Sequence, residues 1–133
     1  MSKQELVINN LKTGIEDHTL VLVNVAIESL QELKGQDIVV LDLKSIDEAS
    51  ANYFVICNGT SSTHISGLGD RVEKNLKKQL DEYPNHVEGR HKTHWLLLDY
   101  FNVVIHIFDK EKRNFYDLEG LWSDAKITQY KDI

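Results

Sequence analysis

The sequence predicts a single α/β domain in which a mixed β-sheet is flanked by helices. Three observations carry that expectation. The chain has 133 residues, 41% hydrophobic and 27% charged, enough for one buried core and ordinary for a soluble globular protein. The period of its apolar positions changes along the chain in the order helix, strand, strand, helix, short strand, hairpin, helix. The strand-like stretches are apolar at nearly every position, as in a sheet covered on both faces.

The hairpin is the centre of this reading. Trp95 to Phe108 reads W-L-L-L-D-Y-F-N-V-V-I-H-I-F, two apolar runs joined at Tyr100-Phe101-Asn102, where Asn102 is the residue expected to accept a positive φ. Asp99 and His106 are its polar exceptions, and buried polar groups need partners.

From the N-terminus, Ser2-x-x-Glu5 resembles a capping box, with Leu6, Leu11 and Ile15 on a short helix. From Asp17, the residues Leu20, Val23, Ile27, Leu30 and Leu33 recur at three- and four-residue steps, one apolar helical face closed by Lys34 and Gly35. Ile38–Leu43 and Tyr53–Cys57 read as strands. Asn58 to Ser62 is a strand-to-helix turn, and Ile65, Leu68, Val72, Leu76 and Leu80 mark the helix after it, ended by Pro84. Gly67 and Gly69 weaken its first turns, which points to close backbone packing or a frayed start. His86 to Glu88 reads as a short edge strand. After the hairpin, Phe115, Tyr116, Leu118, Leu121 and Trp122 fall at helical spacing. The domain is expected to span 17–125, with 1–16 an N-terminal extension and 126–133 a tail.

Twenty-one acidic residues against fifteen basic ones give a formal charge of −6. That balance disfavours direct binding to a phosphate backbone and suits a basic protein partner. The single cysteine, Cys57, excludes an internal disulfide and a cysteine-based zinc site, and its apolar surroundings read as a buried hydrophobe. No apolar run reaches membrane-spanning length, and the N-terminus carries no signal-peptide core, so a cytoplasmic location is expected.

Enzymatic chemistry finds little support. The Gly59-Thr60-Ser61-Ser62 turn lacks the lysine of a P-loop and the spacing of a dinucleotide fingerprint, and no carboxylate pair follows it to hold Mg²⁺. Helix capping is the stronger reading. Nor is it framed as a serine-hydrolase elbow. His86, His91, His94 and Glu88 match no familiar zinc spacing, and neither metal nor cofactor is expected. His106 reads as a hydrogen-bonded core histidine, with contact to a partner as the sharper alternative. Trp95, Tyr100, Tyr116 and Trp122 suit either a core or an interface.

The motifs Asp37-Ile-Val-Val-Leu-Asp-Leu43, Asn52-Tyr-Phe-Val-Ile-Cys-Asn-Gly-Thr-Ser61, Val87-Glu88-Gly89, Trp95-Leu-Leu-Leu-Asp-Tyr100, Val103-Val-Ile-His-Ile-Phe108, Tyr116-Asp-Leu-Glu119 and Leu121-Trp122, in this order and spacing, resemble the ribosomal silencing factor (RsfS, Iojap-related) family from about Leu20 to Ala125. The resemblance implies a fold similar to a nucleotidyltransferase without its catalytic carboxylates. It also implies binding to large-subunit ribosomal protein fourteen, steric blocking of subunit joining when nutrients are scarce, and a part in large-subunit biogenesis. Carried over by motif, Glu88, Trp95, Leu97, Asp99 and Tyr100 are expected to contact the partner or to shape its interface. Asp99 is the natural carboxylate for a basic partner's Arg or Lys; its local alternative is to cap the hairpin turn.

This chain has Phe101-Asn102 where many members carry Gly-Asp, and His94 where a small residue is common before the tryptophan, so the turn is expected to differ in shape. A sheet face left uncovered would suit a ribosomal partner or, off the ribosome, a homodimer. The rival reading is a nucleotidyltransferase-like enzyme using the Gly59–Ser62 turn.

Overall fold

The computed structural model of the protein describes residues 15–91 and 93–132, and the hairpin lies within its sheet as expected. Strand β4 (Trp95–Asp99) pairs antiparallel with β5 (Val103–Phe108), and β5 pairs in parallel with β2 (Tyr53–Asn58). Strand β1 (Gln36–Asp42) continues the sheet beyond β2, β3 (His86–Glu88) forms one edge and β6 (Lys126–Gln129) the other. The six strands run β3-β4-β5-β2-β1-β6, with every pair antiparallel except β2–β5. The parallel pair has to be joined by a long crossover, which here contains the helix after β2.

Alternation along paired strands sorts the side chains onto two faces. Val103, Ile105 and Ile107 share the first face with Leu96, Leu98, Val55, Cys57 and Val40. Two helices seal it. Helix α1 (Ile15–Glu32) contributes Val23, Ile27 and Leu30, and α2 (Ser62–Leu80) contributes Ile65, Leu68, Val72 and Leu76, all buried. Gly69 lets α2 approach the sheet closely, since a Cβ there would overlap the Leu96 side chain. Gly67 faces open space. Burial pushes the Cys57 thiol up to about 12, so at neutral pH it packs as a hydrophobe.

The second face is covered unevenly. Val39, Leu41, Ile56 and Phe108 are buried with Leu118 and Ala125, while Phe54, Trp95 and Trp122 pack against them half-buried. The cover comes from two short helices, α3 (Lys110–Tyr116) and α4 (Leu118–Leu121), with Trp122 and Ala125 after them and Leu43, Ile46 and Ala49 of the loop after β1. Leu97 on β4 and Val104 on β5 stay half-exposed.

Four expectations are revised. The positive φ of the hairpin turn falls on Phe101 (φ 68), not on Asn102. The Asn102 carbonyl accepts from the N–H groups of both Asn52 and Tyr53 at 2.8 and 3.0 Å, which commits it to the start of β2 and moves the reversal back one residue. The final helix is broken in two, because Asp117 takes a left-handed conformation (φ 44) that ends α3 while its side chain accepts from the Gly120 N–H to begin α4. Residues 126–129, expected as tail, form β6 on β1. All four are exposed, so backbone hydrogen bonding holds a strand that hydrophobic patterning does not signal. Finally, α1 is already helical at Ile15, two residues before the expected start at Asp17; the capping box and short helix expected before it lie outside the described residues.

Candidate partner-binding surface

The uneven second face brings together most of the residues singled out in the sequence. Register places Trp95, Leu97 and Asp99 on one side of β4, opposite Phe108, His106 and Val104 of β5, with Glu88 of β3 opposite Leu97. Phe54 of β2 lies across from Val104. The result is a half-exposed apolar strip of Leu97, Val104 and Phe54. Trp95 stands at one end of it, and the carboxylates of Glu88 and Asp99 lie along its β3 side. Strand alternation alone could have proposed Phe54 and Val104; what the sequence lacked was the register that sets Val104 opposite Asp99 and Phe54 beside Val104.

Trp95 is set by several contacts at once. Its ring lies 4.9 Å from Phe108 and 4.6 Å from Tyr116, centroid to centroid. Its indole N–H donates to Nδ1 of His106 at 3.1 Å. Its backbone is held by Thr93, whose Oγ1 accepts from the Trp95 N–H and donates to the Trp95 carbonyl. Gly89, at φ 81, packs its Cα against that same carbonyl, where a Cβ would collide. This is a physical reason for glycine after Glu88.

His106 is 4% exposed, and burial pushes its imidazole down to about 3. The ring is therefore neutral at physiological pH and carries its proton on Nε2, because Nδ1 accepts from the indole. Nε2 has no hydrogen-bond partner among the described residues; Phe54 meets the imidazole edge to face at 4.6 Å. His106 is thus the core histidine of the two readings. Ring contacts run on from it in both directions, through Phe54 to Trp122 and through Trp95 and Tyr116 to Phe115. Phe115 is 76% exposed at the outer end.

Asp99 performs its local role, accepting the Phe101 N–H at 2.8 Å through Oδ1. No ion pair to Asp99 occurs among the described residues, and the residue is half-exposed. Glu88 is exposed and pairs with His86 at 2.9 Å. His94 pairs with Asp109, whose other oxygen accepts from Lys112 N–H to cap α3; this gives His94 a place at the rim of the face. Tyr100 is the exception. It turns into the helix-covered core, 6% exposed, with burial raising its phenol. Strand alternation continues through Asp99 and sets Tyr100 on the face of Leu96 and Leu98, so Tyr100 shapes the turn from beneath.

The Gly59–Ser62 turn is spent on folding. Ser61 Oγ accepts the His64 N–H at 3.0 Å, and the Thr60 N–H donates to His64 Nδ1 at 2.9 Å. The Gly59 N–H donates to Phe108 O. The Gly59, Thr60 and His64 N–H groups are thus committed within the fold, and a Cβ on Gly59 would press on Ile65. This geometry gives the nucleotidyl-transfer reading no support.

Comparison with known proteins agrees with the motifs. The family model described as "Ribosomal silencing factor during starvation" matches residues 16–133. The ribosomal silencing factor RsfS of Halalkalibacterium halodurans is 30% identical over 112 residues, covering 84% of this chain and 94% of that protein. The mouse protein named "Mitochondrial assembly of ribosomal large subunit protein 1" is 31% identical over 104 residues, covering 76% of this chain and 45% of its own length. A crystal structure of a Chromobacterium violaceum protein superimposes with a TM-score of 0.72 at 28% identity, covering 83% of this chain and 90% of that one. Motifs, profile and fold converge, and the chain belongs to the ribosomal silencing factor family.

Proposed function

We propose that the chain silences translation by docking its half-covered sheet face on large-subunit ribosomal protein fourteen. The bound chain then blocks joining of the two ribosomal subunits by bulk alone when nutrients are limited. The observation that carries this reading is the pairing of an unfinished apolar strip (Phe54, Val104, Leu97 and Trp95) with the carboxylates of Glu88 and Asp99. Half-buried aromatic rings are the usual energetic anchors of an interface. Carboxylates beside them steer and fix the Arg and Lys side chains of a basic partner. Occlusion requires no group transfer, so a non-catalytic protein suffices.

The name of the mouse relative favours a second role for the same face, in assembly of the large subunit. Removal of the protein would then leave immature large-subunit particles in sedimentation profiles.

The test is co-sedimentation with isolated large subunits, together with a subunit-joining assay. Wild-type protein should bind and inhibit. Asp99→Lys should bind weakly while keeping its far-ultraviolet spectrum, and Asp99→Asn, which keeps the acceptor for Phe101 but not the charge, should fall between them. Normal binding by both variants removes Asp99 from the interface; no binding by the wild type removes the function.

A further inference from the structure

The Trp95–His106 pair goes beyond the partner reading and rests on it. We propose that His106 is a positioning residue for partner recognition, fixing the Trp95 indole by accepting its N–H at Nδ1.

The geometry points this way because the imidazole is an expensive way to fill its place. His106 is almost wholly buried between Phe54, Trp95 and Phe108, surroundings that an apolar side chain would satisfy. A histidine there leaves Nε2 without a partner among the described residues, which disfavours the fold. What it supplies in return, and an apolar residue would not, is the acceptor 3.1 Å from the indole nitrogen. Indole is a donor only, so the bond also fixes which imidazole nitrogen carries the proton.

Stacking on Phe108, with the tilted Tyr116 ring beside it, sets the plane of the Trp95 ring, but stacking tolerates rotation within that plane. The hydrogen bond removes this freedom. Trp95 is thereby held before any partner arrives, and a pre-ordered anchor loses less entropy on docking. His106 itself need touch nothing outside the chain.

The test combines two readouts on the full chain. The first is solvent exchange of the Trp95 indole N–H by ¹H–¹⁵N NMR, its resonance identified by its loss in Trp95→Phe. The second is affinity for isolated large subunits. His106→Leu should speed indole exchange and weaken binding about tenfold, the scale of one disordered aromatic anchor. His106→Asn, which returns an oxygen acceptor near Nδ1, should restore most of both. If His106→Leu does not fold, His106→Gln, whose amide lies nearer the Nε2 position, takes its place with the same expectations.

Unchanged exchange in the substituted protein overturns the inference. So does faster exchange with wild-type affinity, or His106→Asn behaving like His106→Leu. Wild-type protein that ignores large subunits overturns the partner reading and the recognition half of this inference together. That failure is distinguishable, because indole exchange reads the His106 contact in the free protein.

Discussion

Arg113 reaches from α3 to Asn58 at the end of β2, donating to its Oδ1 at 3.0 Å. The same nitrogen donates to the Asp37 carbonyl at 2.6 Å. Its other terminal nitrogen lies 3.3 Å from Glu119 on α4, and Asn58 Nδ2 donates in turn to the Asp37 carboxylate. A guanidinium only 8% exposed therefore binds the short-helix corner to β1 and β2 through several fixed donors.

Arg113→Ala should cost about 2–4 kcal/mol, because it strands the buried Asn58 oxygen and the Asp37 carbonyl together. Urea denaturation measures it, and a loss below about 1 kcal/mol would show that water replaces the side chain readily.

The two glycines of α2 should respond in opposite directions to the same substitution. Gly67→Ala meets open space and should stabilise by roughly 0.5–1 kcal/mol through better helix propensity. Gly69→Ala must displace Leu96 and should destabilise by about 1–3 kcal/mol. Melting temperatures of the two variants that shift the same way would contradict the packing.

His106 should make the fold acid-sensitive. An unfolded histidine titrates near pH ~6.5, whereas folded His106 stays neutral down to about 3. Between those values the unfolded chain binds the extra proton, so stability falls as pH drops. From about pH 7 to pH 5 the loss through this residue should be about 2 kcal/mol. His106→Asn should be less stable at neutral pH but show a shallower decline, measured as the denaturation midpoint at each pH.

Phe101→Gly should relieve the positive φ of the hairpin turn. A left-handed backbone costs an L-residue roughly 1–2 kcal/mol, and glycine returns part of that through its looser unfolded state. A net gain of up to about 1 kcal/mol is expected in urea denaturation. Phe101 is 68% exposed, so little packing is lost; a marked destabilisation would mean that its ring holds the turn.

The elements legible in the sequence were those whose period is imposed by burial. The α2 positions Ile65, Leu68, Val72 and Leu76 all face the sheet, and the strands around Val39, Ile56 and Ile105 are as enclosed as their composition implied. What escaped was set by the backbone. The turn placement depends on two N–H groups claiming the Asn102 carbonyl, the α3–α4 break on one left-handed aspartate, and β6 on hydrogen bonds its side chains do not advertise. The candidate surface divides likewise. Trp95, Leu97, Asp99 and Glu88 were found by motif, whereas Phe54 and Val104 needed the register. Tyr100, named as a contacting or interface-shaping residue, follows the alternation of Leu96 and Leu98 into the helix-covered core and so bears on the turn from beneath.

Strand β6 also has a protective effect. It covers the outer edge of β1, pairing Lys126 to Gln129 against Asp42 to Val39. A chain ended at Ala125 would bare the N–H and C=O groups along Ile38-Val39-Val40-Leu41, a greasy ribbon suited to recruiting other strands. With β6 in place, the molecule ends that side of its sheet in Lys126, Ile127, Thr128 and Gln129, all exposed. Deleting 126–133 is therefore expected to raise the protein's tendency to associate through β1, measured by light scattering against the full chain.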